Sequence, residues 1–181
     1  MPPFASDLRL SRVLPALAEV YAGVASLTCR RKPSQDPVRY LTALQISLLL
    51  SMPDPKTDKG LRDLTLLYLG YETGARVSEI LAVRMCDIIR DGNHVKIRLH
   101  GKGSKIREQP LRKDAARCLD IYLKRFMRIR KDTDLLFYTD YAGIRSMMSR
   151  FNADSVIKKY GAMAKKANPS FPEGLHFHML R

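Results

Sequence analysis

A glycine break between two apolar segments constrains this chain more than any other feature. Leu64 to Tyr71 is an apolar run that leads into Thr73-Gly74-Ala75-Arg76-Val77-Ser78-Glu79-Ile80. Glycine takes positive φ without steric cost, so Gly74 suits the end of a helix. Ser78 to Leu81 then has the pattern of a second helix. The spacing predicts a tight helix-to-helix junction with Arg76 inside it. An arginine held there loses stem entropy and presents a fixed fork to a phosphate. It serves equally as a core-edge arginine paired with Glu79. The local sequence leaves both readings open.

Charge bears on that choice. The chain has 181 residues, a net charge of +14 and a pI near 10.0. The charge is uneven: Lys96 to Lys131 holds 13 Lys and Arg against 3 acids, whereas Leu41 to Leu81 holds 4 against 5. A basic block beside a near-neutral one predicts a binding face for a polyanion, with nucleic acid preferred. The length suits one compact domain with a fragment of another. Cys29, Cys86 and Cys118 are odd in number and lack a CxxC pair, so they read as reduced, mostly buried thiols in a cytosolic protein. No apolar run approaches the ~18–20 residues of a membrane span. Asp7, Arg9 and Arg12 interrupt the N-terminal apolar stretch, which excludes a secretory signal.

In chain order, residues 1–24 predict one amphipathic helix, with Leu14, Leu17, Ala18, Tyr21 and Val24 at helical spacing. Residues 25–40 are a basic, proline-bearing linker. The remainder, 41–181, reads as the main domain. Thr42-x-x-Gln45 is a capping box before a helix with Leu44, Leu48 and Leu49 on its apolar face. Asp58 precedes a longer helix with Leu61, Leu64, Leu67, Tyr68 and Tyr71 inward, and the short helix after Arg76 extends to about Val83. Val95, Ile97 and Leu99 then alternate with Lys96, Arg98 and His100, which predicts a half-buried strand. Gly101-Lys102-Gly103-Ser104 is a turn, and Lys105 to Leu111 the returning strand. Lys113 to Phe126 is a helix with Ala116, Leu119, Tyr122 and Leu123 inward. Asp134 to Tyr141 is either a short strand or a turn. Asn152 or Asp154 caps a last helix, with Val156, Ile157, Tyr160, Met163, Ala164 and Ala167 on its buried stripe. The expected class is therefore mainly α with a small antiparallel β-sheet, an α+β fold.

Three places are candidates for phosphoryl chemistry, which needs cationic donors on the non-bridging oxygens and an acid for the leaving oxygen. Arg76 sits at the junction. Lys102 sits on a glycine-flanked hairpin tip. His178 and Arg181 are three apart and share a face if the chain is helical there. Singly, Gly-Lys-Gly and His-x-x-Arg are weak signals. His176 with His178 lacks a third ligand for a metal.

In order, these residues resemble the tyrosine recombinase (phage integrase) family. The resemblance rests on Thr73 to Glu79, on Gly101 to Leu111 and on His178 to Arg181, and it spans roughly Leu41 to Arg181. It implies that Arg76 and Arg181 grip the scissile phosphate and that Lys102 protonates the 5′ leaving oxygen. His178 would donate to a phosphate oxygen or manage the nucleophile's proton, and Glu79 would brace the site. Lys102, Lys105 and Arg107 would contact DNA. It further implies no metal or other cofactor and no ATP, cleavage through a 3′-phosphotyrosyl bond, double-stranded DNA as partner, a homotetramer on paired sites, and a bacterial or phage protein of the cytoplasm. The family's nucleophilic tyrosine lies downstream of the second arginine, and all eight tyrosines here precede Arg181. The expectation is a catalytic domain shortened at both ends, monomeric and inactive alone, with residues 1–24 the last helix of the family's core-binding domain. Two alternatives accompany it: a non-catalytic DNA-binding protein on a degenerate recombinase fold, and a type IB topoisomerase.

Overall fold

The computed structural model describes residues 40–127 and 131–180. The helix expected within residues 1–24, most of the linker, and Arg181 lie outside the described residues. What is described is a mainly helical fold with two small antiparallel sheets.

Helix α1, Ala43–Leu50, starts at the expected capping box. Thr42 Oγ1 accepts from the Gln45 amide at 3.3 Å, and Gln45 Oε1 accepts from the Thr42 amide at 2.9 Å. Its buried residues are Ile46 and Leu49. Leu44 is 83% exposed, so the expected face is rotated by part of a turn. Three leucines do not fix a stripe when an isoleucine completes a different one.

Helix α2, Asp58–Thr73, is capped by Thr57 rather than Asp58: Thr57 Oγ1 accepts from the Gly60 amide at 3.0 Å. Leu61, Leu66, Leu67 and Leu69 are buried along it. Gly74 ends it in the left-handed conformation, φ 53° and ψ 22°, as the sequence predicts. Helix α3, Val77–Leu81, follows at once, stops two residues before the expected Val83 and buries Ile80 and Leu81.

Arg84 leads into a 3-10 turn, Met85–Asp87, and then a three-stranded sheet in the order β1-β2-β3. Strand β2, His94–His100, buries Val95, Ile97 and Leu99, as the alternation requires. Strand β3 is Ile106–Pro110, pairing Leu99 with Arg107 and Ile97 with Gln109. Strand β1, Ile88–Asp91, was not legible in the sequence. It is four residues long with a mixed burial pattern, and only its pairing with β2 makes it a strand.

Helix α4 runs Lys113–Phe126, as predicted, and packs on α2. Tyr122 Oη donates to the Leu136 carbonyl at 2.8 Å, which ties α4 to the segment entering β4. Strand β4, Tyr138–Tyr141, resolves the earlier ambiguity in favour of a strand; its partner β5, Ile144–Met147, was missed. Helix α5, Arg150–Ala167, is capped by Ser149, whose Oγ accepts from the Asn152 amide at 3.1 Å. Neither Asn152 nor Asp154 is the cap. The buried stripe of α5 is Ala153, Val156, Ile157, Tyr160, Gly161 and Ala164. Met163 is 41% exposed and Ala167 is exposed, because both fall on the flank of that stripe. A second 3-10 turn, Phe177–Leu180, closes the described chain.

One cluster of buried apolar side chains joins the five helices, strand β2 and both 3-10 turns, whereas strands β3 and β5 add no side chain to it. Cys118 is buried in it, Cys86 is exposed, and Cys29 lies outside the described residues. No helix among the described residues is long and apolar enough to cross a membrane.

Candidate active site

The junction after α2 fixes the backbone of Arg76 but not the far end of its side chain. Ala75 before it is buried, and Arg76 takes the extended N-cap conformation of α3, φ −67° and ψ 146°. Its side chain is 60% exposed. The arginine is therefore not buried, as its position between apolar helices suggested. Five donors on a long stem reach water more cheaply than they are buried. The pairing with Glu79 is present: Nη1 donates to Glu79 Oε1 at 2.9 Å, from a side chain that stays largely exposed.

Glu79 is the centre of this arrangement. Its side chain is buried, and it also accepts from the Arg76 amide through Oε2 at 3.2 Å. Arg107 Nη2 reaches the same Oε2 at 3.2 Å from strand β3. Burial by itself raises this carboxyl's pKa. The hydrogen bonds from the Arg76 side chain and amide and from Arg107 outweigh it and hold the group below its usual range. Glu79 thus stays charged and clamps two arginines 31 positions apart. No spacing in the sequence joins Glu79 to Arg107; the packing of α3 against the hairpin brings them together.

The β2–β3 hairpin supplies the next cations. Gly101 N–H donates to the Lys105 carbonyl at 2.8 Å, and Gly103 and Ser104 both have positive φ. Lys102 stands on this turn, exposed and without an ion pair or hydrogen bond among the described residues; Lys105 is exposed beside it. The base of the turn lies against Glu79, since a Cβ on Gly101 would sit 3.9 Å from Oε1. Arg76, Glu79, Arg107 and the root of the lysine hairpin are therefore contiguous.

His178 arrives by a different route. It is exposed on the closing 3-10 turn rather than on an α-helix, with its ring stacked on His176 at 5.7 Å between centroids. The turn is anchored by Phe177 and Leu180, which pack on Gly70 of α2. A Cβ at Gly70 would lie 2.8 Å from the Phe177 ring and 3.0 Å from Leu180 Cδ1. Only glycine permits that approach. Gly70 is about one helical turn before Gly74, so the His178 turn docks beside the end of α2 that leads to Arg76. Arg181 lies outside the described residues. Among the described residues, no group of three His, Cys, Asp or Glu side chains is placed to hold a metal ion.

Two tyrosines are built for structure rather than for attack. Tyr122 is buried, its pKa raised by burial and then by Tyr138, and its hydroxyl is spent on Leu136. Tyr160 is buried and donates to Asp63 Oδ2 at 3.1 Å; burial first, then the Asp63 charge, pushes its pKa to about 12. A phenol needed as a nucleophile requires shifts of the opposite sign.

Comparison with known proteins supplies the family. Residues 39–181 match the phage integrase family. The chain is 40% identical over 98 residues to tyrosine recombinase XerC of Myxococcus xanthus, covering 52% of this chain and 32% of the relative. It is 30% identical over 151 residues to tyrosine recombinase XerC 2 of Ralstonia nicotianae, covering 79% and 43%. The chain thus spans less than half the length of these relatives. Its fold is similar to the XerH site-specific recombinase in a post-cleavage complex with palindromic difH substrate, with TM-score 0.65 and 19% identity over 83% of this chain and 42% of the other. It is also similar to the Tn1549 transposon integrase in complex with circular intermediate DNA, with TM-score 0.59 and 15% identity over 90% and 60%. The match over residues 39–181, most of the chain, places this protein in the phage integrase family of tyrosine recombinases.

Proposed function

We propose that this chain is the phosphate-gripping part of a site-specific DNA recombinase that breaks and rejoins strands through a 3′-phosphotyrosyl bond. Arg76 and Arg181 hold the non-bridging oxygens of the scissile phosphate. Lys102 protonates the 5′ leaving oxygen, and His178 donates to the phosphate or handles the nucleophile's proton. Glu79 fixes the orientation of Arg76. Lys105 and Arg107 contact the DNA backbone, Arg107 with the part of its fork that Glu79 leaves free. The domain lies within residues 41–181. The protein acts on duplex DNA in the cytoplasm, as a tetramer on paired sites. Energy is conserved in the phosphodiester exchange, so ATP has no place in the reaction.

The observation that carries this reading is the Glu79 clamp. A buried carboxylate kept charged by Arg76 and Arg107 leaves open guanidinium edges and sits at the root of a hairpin bearing an unpaired lysine. Preorganised cations of this kind stabilise charge as it develops on a phosphate.

Two measurements test it. The chain should bind duplex DNA with an affinity that falls steeply with salt, because each phosphate contact releases counterions; salt-insensitive or absent binding ends the proposal. A nicked suicide duplex should trap no adduct on Tyr122 or Tyr160. Peptide mapping of an adduct to either would overturn the assignment of those residues to the fold.

A further inference from the structure

A second cationic cluster lies at the other end of α2. A cavity of about 290 Å³ opens between the first turns of α2 and the first half of α5, lined among others by Lys59, Arg62, Asp63, Asn152, Ser155 and Lys159. Three cations face one carboxylate. That carboxylate is fully committed: Asp63 Oδ1 accepts from Arg62 Nε at 3.0 Å and Nη2 at 2.7 Å, and Oδ2 accepts from Tyr160. Asp63 is fully buried, so it anchors Arg62 without offering an acceptor to the cavity.

The donors that remain point to an anionic guest. Arg62 keeps its Nη1 group after forking onto Asp63. Lys159 lies 4.5 Å from the centroid of the Tyr160 ring and donates to its hydroxyl at 3.3 Å, which spends one of three protons. Lys59 has no ion pair or hydrogen bond among the described residues, and the Asn152 amide and Ser155 hydroxyl add neutral donors. Around one cavity lined from two helices, this surplus of cationic donors matches a group with several oxygens in three dimensions. A phosphate offers that; a carboxylate offers two oxygens in one plane.

We infer that Lys59, Arg62 and Lys159 form a second phosphate-binding cleft, separate from the one at Arg76. Lys59 and Thr73 are fourteen residues apart on one helix, about 21 Å at about 1.5 Å per residue. One phosphate cannot touch both ends. The phosphate belongs either to a DNA backbone or to a small free phosphate, and the two sources give different results below.

The probe is inorganic phosphate, titrated into the full chain against sodium chloride of equal ionic strength while backbone amide NMR resonances are followed. The expected result is a saturable, phosphate-specific shift of the Lys59, Asn152 and Ser155 amides that persists in Arg76→Ala. That persistence separates this site from the proposed catalytic one, so either proposal can fail alone. A Lys59→Gln, Lys159→Gln double variant, which leaves the Arg62–Asp63 pair intact, should weaken phosphate about tenfold or more. Ser155→Asp, at a cavity-lining position, should abolish the shift. For the source, the double variant should lower the salt slope of duplex binding by about one to two if the cleft grips DNA. An unchanged slope with phosphate binding retained in the parent assigns the cleft to a free phosphate. Chloride shifts equal to those of phosphate, or a double variant that binds phosphate as the parent does, would overturn the inference.

Discussion

Glu79 and Asp63 are both buried carboxylates that hold an arginine, yet they build opposite kinds of site. Asp63 spends one oxygen on Arg62 and the other on the Tyr160 phenol, so a neutral donor completes its shell and locks α2 to α5. Glu79 spends both oxygens on cations, Arg76 and Arg107, and on the Arg76 amide. The first arrangement is internally closed, and its surplus charge belongs to lysines standing around it. In the second, the arginines that satisfy the carboxylate are themselves the exposed groups. A carboxylate that seats a phenol joins elements; one that seats two half-exposed arginines leaves charge at the surface.

The largest expected effect breaks the first site. Asp63→Ala strands the Arg62 guanidinium and a buried Tyr160 hydroxyl, and should cost about 3 kcal/mol in urea unfolding. A loss close to zero would mean that Asp63 joins nothing. Next, Gly70→Ala should cost about 1–3 kcal/mol by forcing the Phe177 turn off α2. Its ring-current signature at His178 should change, whereas the amides of the Lys59 cleft should not move. Glu79→Gln should cost about 1 kcal/mol at neutral pH, because partners that are half exposed re-solvate.

The sign of the pH dependence sharpens the comparison. The folded-state pKa of Glu79 is depressed, so its contribution is present above the unfolded-state value and is lost as pH falls through the folded one. The parent's Tm should therefore drop with acidification below the ordinary glutamate range more than that of Glu79→Gln does. Parallel curves would show that the two arginines contribute no net stabilisation to the charged form. The smallest effect on stability is Arg76→Ala, under about 1 kcal/mol for an exposed pair. Strand cleavage by a recombinase carrying it should nonetheless be lost; intact cleavage would remove Arg76 from the reaction.

Much of this molecule was legible as periodicity and punctuation. The Thr42 capping box, the Gly74 stop, the Val95–Leu99 alternation and helix α4 are local events, each decided by residues within one or two turns of one another. Strands β1 and β5 were not legible, because four residues of mixed pattern become a strand only when a partner is beside them. The N-cap of α2 lies one residue, and that of α5 three to five residues, before the expected position, since several neighbouring side chains had the right chemistry and geometry chose among them.

The candidate site divides the same way. Sequence alone named Arg76, Glu79, Lys102 and His178 and set Gly74 in its left-handed turn, because short motifs and backbone sterics act along the chain. Only the tertiary structure decided that Arg76 opens to solvent, that Arg107 shares Glu79 with it and that Asp63 meets Tyr160 across 97 positions. Periodicity states which way a side chain points relative to its own element. Which charge it meets there depends on how elements pack, and packing is a property of the whole fold.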